Sequence, residues 1–158
     1  KNRVVLDLLK RALDSRYMIS IREEKGGTYG VHVSGGTNKY PVEQYVITIK
    51  FDTNEQLADE LVEICDKEIK RIAEEGPLVE DIAKSKEFLQ KNYNNILESN
   101  SGWLSTIYNW YEEGYNYKDE YLDILASITE DDIKALAQRI LADGNRTLVV
   151  MRPGATTE

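Results

Sequence analysis

Apolar residues recur at helical spacing along most of this chain, and at strand spacing in only one compact stretch and one short run near its end. This distribution limits the fold strongly, because a period of 3.6 buries one stripe of a helix whereas a period of 2 buries one face of a strand. Val4, Val5, Leu8, Leu9, Ala12 and Leu13 predict an amphipathic helix over residues 3–17. Strand-like residues run from Thr28 to Val33, and alternation returns from Gln44 to Asp52. With Gly35 to Pro41 as the connecting loop, the two runs predict an antiparallel hairpin. Thr53 and Gln56 match a capping box opening a helix to about Glu75, where Gly76-Pro77 stops it. A long helix is expected over 79–98, with Ile82, Leu89, Tyr93 and Ile96 on one face, and shorter ones over 102–114 and 118–127. Thr129-Glu130-Asp131-Asp132 signals a further helix to Ala142, Gly144 closes it, and residues 147–151 (TLVVM) predict a short strand. The order α-β-β-α-α-α-α-α-β predicts an α+β fold with helices packed on one face of an antiparallel sheet. No repeat or linker divides the chain, so its 158 residues are expected to form one domain.

Composition removes several functional classes. The formal charge is −8, and Lys and Arg are scattered where a nucleic-acid binder carries a basic stripe, so nucleic acid is not an expected partner. No apolar run approaches the roughly 20 residues that span a bilayer. The chain begins at Lys1 without a methionine and reads as an excised or processed segment. Cys65 is the single cysteine, which excludes an internal disulfide and a multi-cysteine metal site; within the series Leu57, Leu61, Ile64, Cys65, Ile72 it reads as core.

His32 is the single histidine, so a zinc site with two histidine ligands cannot form within this chain, and metal ligands are expected to be absent from it. Between Val31 and Val33 it reads as a solvent-facing or locally bonded strand residue. Gly26-Gly27, Gly30 and Gly35-Gly36 follow a helix and enter a strand, the reverse of a phosphate-binding loop, and read as a turn with close backbone approach. The acidic runs are adjacent in sequence rather than three or four apart, which marks solvated or capping charge. The aromatic cluster Trp103, Tyr108, Trp110, Tyr111, Tyr115, Tyr117 and Tyr121 reads as core plus a domain interface, against a peptide- or carbohydrate-stacking platform. Arg22 and Tyr29 bracket REEKGGTY: one supplies a permanent fork of donors, the other a neutral hydroxyl donor. With the glycine pair reversing the chain between them, both side chains can reach one space, and converging donors favour amide hydrolysis, where oxyanion charge develops.

The segment IREEKGGTYGVHV resembles the C-terminal-half signature of the pitrilysin/insulinase-type zinc metallopeptidases, in which an Arg at a helix end precedes by seven residues a Tyr opening a strand. PLVEDIAKSKEFLQ looks like the family's long second helix, and ASITEDDIKALAQRIL followed by TLVV like its closing helix and strand. The resemblance implies a clam shell of two related halves, the N-terminal one carrying zinc on a His-x-x-Glu-His motif, the C-terminal one sharing the fold without metal. It implies that Arg22 holds substrate main-chain oxygen and that Tyr29 hydrogen-bonds the scissile carbonyl. Peptides and the zinc-bearing half, in the same protein or a partner subunit, are then the expected partners, and zinc the cofactor of the parent, bound by the other half. REEKGGTYG looks most like large bacterial members, which makes the periplasm or cell envelope the favoured location and the cytoplasm the alternative. Family halves begin with strands ahead of the first helix, and none precede Lys1; an unpaired sheet edge and self-association through it are therefore expected. The rival readings are a catalytically inactive structural or partner subunit of the same fold family and an unrelated α+β peptide- or glycan-binding module.

Overall fold

The computed structural model describes residues 1–23, 25–26 and 28–152, without the side chain of Glu23. The elements are α1 (Asn2–Tyr17), a π-helical segment (Met18–Glu23), β1 (Val31–Asn38), β2 (Gln44–Phe51), α2 (Ala58–Glu75), α3 (Val79–Glu98), α4 (Asn100–Glu113), α5 (Tyr117–Ser127) and α6 (Glu130–Asp143). This is the expected α+β arrangement, mostly helical, with a two-stranded antiparallel sheet.

Helix α1 is the hub. Val4, Val5, Leu8, Leu9, Ala12, Leu13 and Tyr17 are buried on it, and it touches β1, α2, α3 and α6. Burying each of its Leu side chains is worth about 2 kcal/mol. Polar ties fix its rotation. The Tyr17 hydroxyl donates to the Cys65 carbonyl of α2 at 3.1 Å, and Arg16 pairs with the largely buried Glu68 carboxylate at 3.2 Å. Val31 and Val33 on β1 with Ile47, Ile49 and Phe51 on β2 pack against the core that α1 anchors. By alternation His32, Ser34, Thr48 and Lys50 lie on the opposite face of the sheet.

Several boundaries differ from those the sequence predicts. The hairpin is shifted: β1 begins at Val31, not Thr28, and runs through Gly35 and Gly36, which were expected in the loop. The ladder continues to Asn38↔Gln44 because the glycines admit a close backbone approach. Gly35 has φ +152°, and a Cβ there would meet the Val46 carbonyl oxygen at 2.0 Å. Thr53 does not open α2. The Asn54 side chain accepts from the Leu57 amide at 2.9 Å, forming a turn that delays the helix to Ala58. The capping box at Thr129 and Asp132 forms as expected, and its Asp132 carboxylate also pairs with Lys1 at 2.7 Å.

Residues 147–151 make no strand among the described residues, correcting the closing β-element. A strand needs a neighbour for its amides and carbonyls, and here the run is held only at its ends. Arg146 grips Asp66 at 2.8 Å and Arg152 grips Asp59 at 3.0 Å, both on α2, while Leu148, Val149, Val150 and Met151 stay exposed.

The glycine geometry carries a test. Gly35→Ala should lower unfolding stability by about 2 kcal/mol or more through strain and collision with β2. Gly36→Ala, where no atom lies within 4 Å of the added Cβ, should cost far less. Urea unfolding of the two variants side by side measures the contrast.

Candidate functional site

The ends of α1 and β1 position the two residues singled out by sequence. Past Tyr17 the helix widens into the π-helical segment, whose inner side is pinned by Ile21, fully buried, and by Ser20, whose hydroxyl donates to the Arg16 carbonyl at 2.9 Å. Single π turns occur most often where a helix must present a functional side chain. With Ile21 turned inward, its neighbour Arg22 is left exposed. The segment closes when Gly26, at φ +62°, donates its amide to the Arg22 carbonyl at 3.2 Å, a left-handed cap that suits glycine. Gly27 lies outside the described residues, so the expected turn is seen through Gly26. Beyond it, the Thr28 hydroxyl both accepts from the Gly30 amide (3.2 Å) and donates to the Gly30 carbonyl (3.0 Å). This tight bend carries Tyr29 at its apex, fully exposed, one residue before Gly30 and two before β1.

Arg22 and Tyr29 therefore flank one capped reversal, and no hydrogen bond joins them among the described residues. Arg22 differs from the other arginines. Arg3, Arg16, Arg71, Arg139, Arg146 and Arg152 each reach a carboxylate, and Arg11 lies 3.7 Å from the centre of the Phe88 ring. Among the described residues the Arg22 guanidinium meets the Met18 sulfur, at 3.3 Å, and no carboxylate. A side chain with five donors is left available to an incoming acceptor. His32 lies on β1 in register with Lys50 on the exposed sheet face.

Other candidate chemistry is not assembled. No three His, Cys, Asp or Glu side chains among the described residues are grouped so as to hold a metal ion. Cys65 is buried beside Tyr17, and burial, reinforced by Asp66, pushes its thiol up to about 12. A cavity of about 230 Å³ between α1, α3 and α4 is lined by Arg3, Asp7, Asn92, Ser105 and Tyr115, enough room for several waters. The Tyr115 hydroxyl is buried without a partner among the described residues, and burial raises the neighbouring Tyr121 hydroxyl to about 12.

The aromatic cluster divides in two. Tyr121 is buried, with Tyr93 stacked on it at 5.5 Å and Tyr117 at 4.6 Å, and this part is core. On α4, Trp103, Leu104, Ile107, Tyr108, Trp110 and Tyr111 are exposed, so the core part of the expected core plus domain interface is confined to the tyrosines around Tyr121. Helix α4 docks through its small residues instead. Thr106 is buried, and a Cβ on Gly102 would meet the Ile96 carbonyl oxygen at 2.0 Å. The signal was present in the sequence as the small residues Gly102 and Thr106, four apart among large ones, a spacing that puts both on the side of the helix that packs.

With this geometry in place, comparison with known proteins is informative. Residues 1–89 match the family described as the peptidase M16 inactive domain. The chain belongs to that family. A protein described as zinc protease PQQL-like from Arabidopsis thaliana is 28% identical over 112 residues, which is 68% of this chain and 12% of that protein. The periplasmic protease PqqL from Escherichia coli shares the fold with a TM-score of 0.72 at 15% identity, covering 86% of this chain and 15% of PqqL. The peptidase M16 inactive domain from Pseudomonas fluorescens superposes with a TM-score of 0.68 at 19% identity, covering 86% of this chain and 33% of that one. The chain thus spans a small fraction of the length of these relatives. The family resemblance read from IREEKGGTYGVHV and the half-domain fold are both supported.

Burial of Cys65 gives a direct check. At pH 8 the native protein should react with iodoacetamide many times more slowly than the urea-unfolded chain, because the reactive species is the thiolate. Mass spectrometry of timed samples reads the difference.

Proposed function

We propose that residues 1–158 form the C-terminal-type, substrate-gripping domain of a zinc-dependent peptidase, opposed in the parent by a zinc-bearing half. The observation that carries this reading is the placement at one capped reversal of an exposed guanidinium, with no carboxylate partner among the described residues, and a fully exposed phenol. In this reading the Arg22 fork donates to a main-chain oxygen of the peptide, fixing the backbone near the reacting carbonyl. Tyr29 donates its hydroxyl proton in a hydrogen bond to the scissile carbonyl oxygen, and the bond strengthens as that oxygen gains negative charge. Because the bend at Thr28 and Gly30 and the cap at Gly26 are formed before substrate arrives, little reorganisation is needed at the reacting step.

The relative described as a zinc protease supports zinc in the parent. When bound, the metal would activate water and polarise the carbonyl. The described residues here offer no set that fits it, so in this reading the metal sits in the other half. The family description as an inactive domain agrees with that division of labour. The exposed aromatic face of α4, with Trp110 at 57% and Tyr111 at 84% of full exposure, supports a docking role toward the remainder of the parent or a partner subunit. A periplasmic or cell-envelope setting draws support from PqqL, which is described as periplasmic.

Two measurements test this. In the intact peptidase, Tyr29→Phe should reduce kcat by about 10²-fold, the usual loss for one oxyanion donor. Its thermal stability should stay unchanged, because the exposed hydroxyl makes no hydrogen bond among the described residues. Unaltered turnover defeats the assignment. Purified 1–158 supplied with Zn²⁺ should cleave no peptide, and metal-dependent hydrolysis by it would place the active centre in this chain.

A further inference from the structure

The chain contains 28 acidic residues, yet the face of the hairpin turned away from the helices carries none of them. On that face β1 presents His32, Ser34, Gly36 and Asn38, in register with Lys50, Thr48, Val46 and Gln44 of β2. The inward positions Val31, Val33, Ile47, Ile49 and Phe51 pack on the core, which fixes the orientation of the alternate residues. The nearest carboxylates in sequence, Glu43 and Asp52, lie beyond the two ends of β2. Lys50 is exposed and in no ion pair among the described residues, whereas Lys1, Lys10 and Lys25 each hold a carboxylate. His32 adds a ring donor directly across the ladder. This end of the hairpin is also the one that Tyr29 approaches, three residues before His32.

We infer that the exposed sheet face at His32 and Lys50 is a specificity site that selects peptides with an acidic side chain close to the scissile bond. The inference rests on the proposed role of Arg22 and Tyr29 and extends it. A peptide whose carbonyl meets Tyr29 and whose chain continues over the face brings a side chain roughly 10 Å away, about three residues along, to Lys50. A carboxylate there gains a cation that holds no other carboxylate among the described residues. A lysine there meets like charge and is disfavoured, so the site both attracts and rejects.

The test uses the intact peptidase and internally quenched peptides that differ only in Glu, Gln or Lys placed about two to four residues on either side of the cleaved bond. Binding of the same peptides is followed by fluorescence anisotropy, so that a parent that binds without cutting still reports. At low ionic strength the Glu peptide should lead the Lys peptide by about tenfold in kcat/KM or affinity, with Gln between them and the gap closing as salt is added. Lys50→Glu should invert the order and Lys50→Gln should flatten it. Circular dichroism confirms that both variants are folded. Tyr29→Phe should slow all three peptides alike and leave the order intact. Absence of a Glu preference in the parent, or an unchanged order in folded Lys50→Glu, overturns the specificity site. Inversion by Lys50→Glu with normal turnover in Tyr29→Phe would instead remove Tyr29 from the reaction while the acidic selection stands.

Discussion

Burial of α1 is the constraint on which the rest of the structure depends. Its apolar residues face β1, α2, α3 and α6, so the sheet and three helices are positioned by contact with one element. Apolar contact alone is non-directional. The Tyr17 to Cys65 hydrogen bond and the Arg16 to Glu68 ion pair set the rotation of α1 relative to α2. The Glu68 pair is valuable mainly as a register, since a buried ion pair returns little net stability.

The candidate site inherits that rotation. With Tyr17 and Ile21 both buried, the last turns of the helix are committed inward, and the adjacent Arg22 has no course but outward. The π-helical geometry, the positive φ of Gly26 and the hydroxyl bridge from Thr28 to Gly30 then convert a helix end into a strand start within a few residues. Strength in the core and availability at the surface are two sides of one arrangement. The residues that could meet a peptide are those whose neighbours are most firmly held.

Three surfaces remain without cover among the described residues, and they differ in chemistry. The exposed face of the hairpin is polar and free of carboxylates along the ladder, which suits contact with a chain that comes and goes. The outer face of α4 is aromatic and aliphatic, which suits a lasting interface. The exposed run at 147–151 is apolar as well, and its backbone lacks a ladder partner. The domain belongs to a family whose relatives named above are several times longer.

Much of this was legible in the sequence. The helices over α1, α3, α5 and α6, the hairpin, the Thr129 cap and the α+β class followed from periodicity and capping chemistry, which act between residues close in the chain. Arg22 and Tyr29 stood out as a donor pair around a glycine turn, and their spacing carried the family resemblance. What local pattern could not supply was decided by contacts between distant residues. Gly35 and Gly36 looked like loop until pairing with β2 drew both into the ladder, where the approach of Val46 requires that Gly35 lack a Cβ. The aromatic cluster read as core plus interface without a dividing line, and the line was drawn when Gly102 and Thr106 took the packed side of α4. The run at 147–151 has the composition of a strand but no partner beside it among the described residues, and a strand exists only as one member of a pair. The sequence by itself determined which segments could bury a stripe or a face and which side chains could donate to a substrate. Only the tertiary structure decided which faces were used, because burial and strand pairing are properties of two surfaces and never of one.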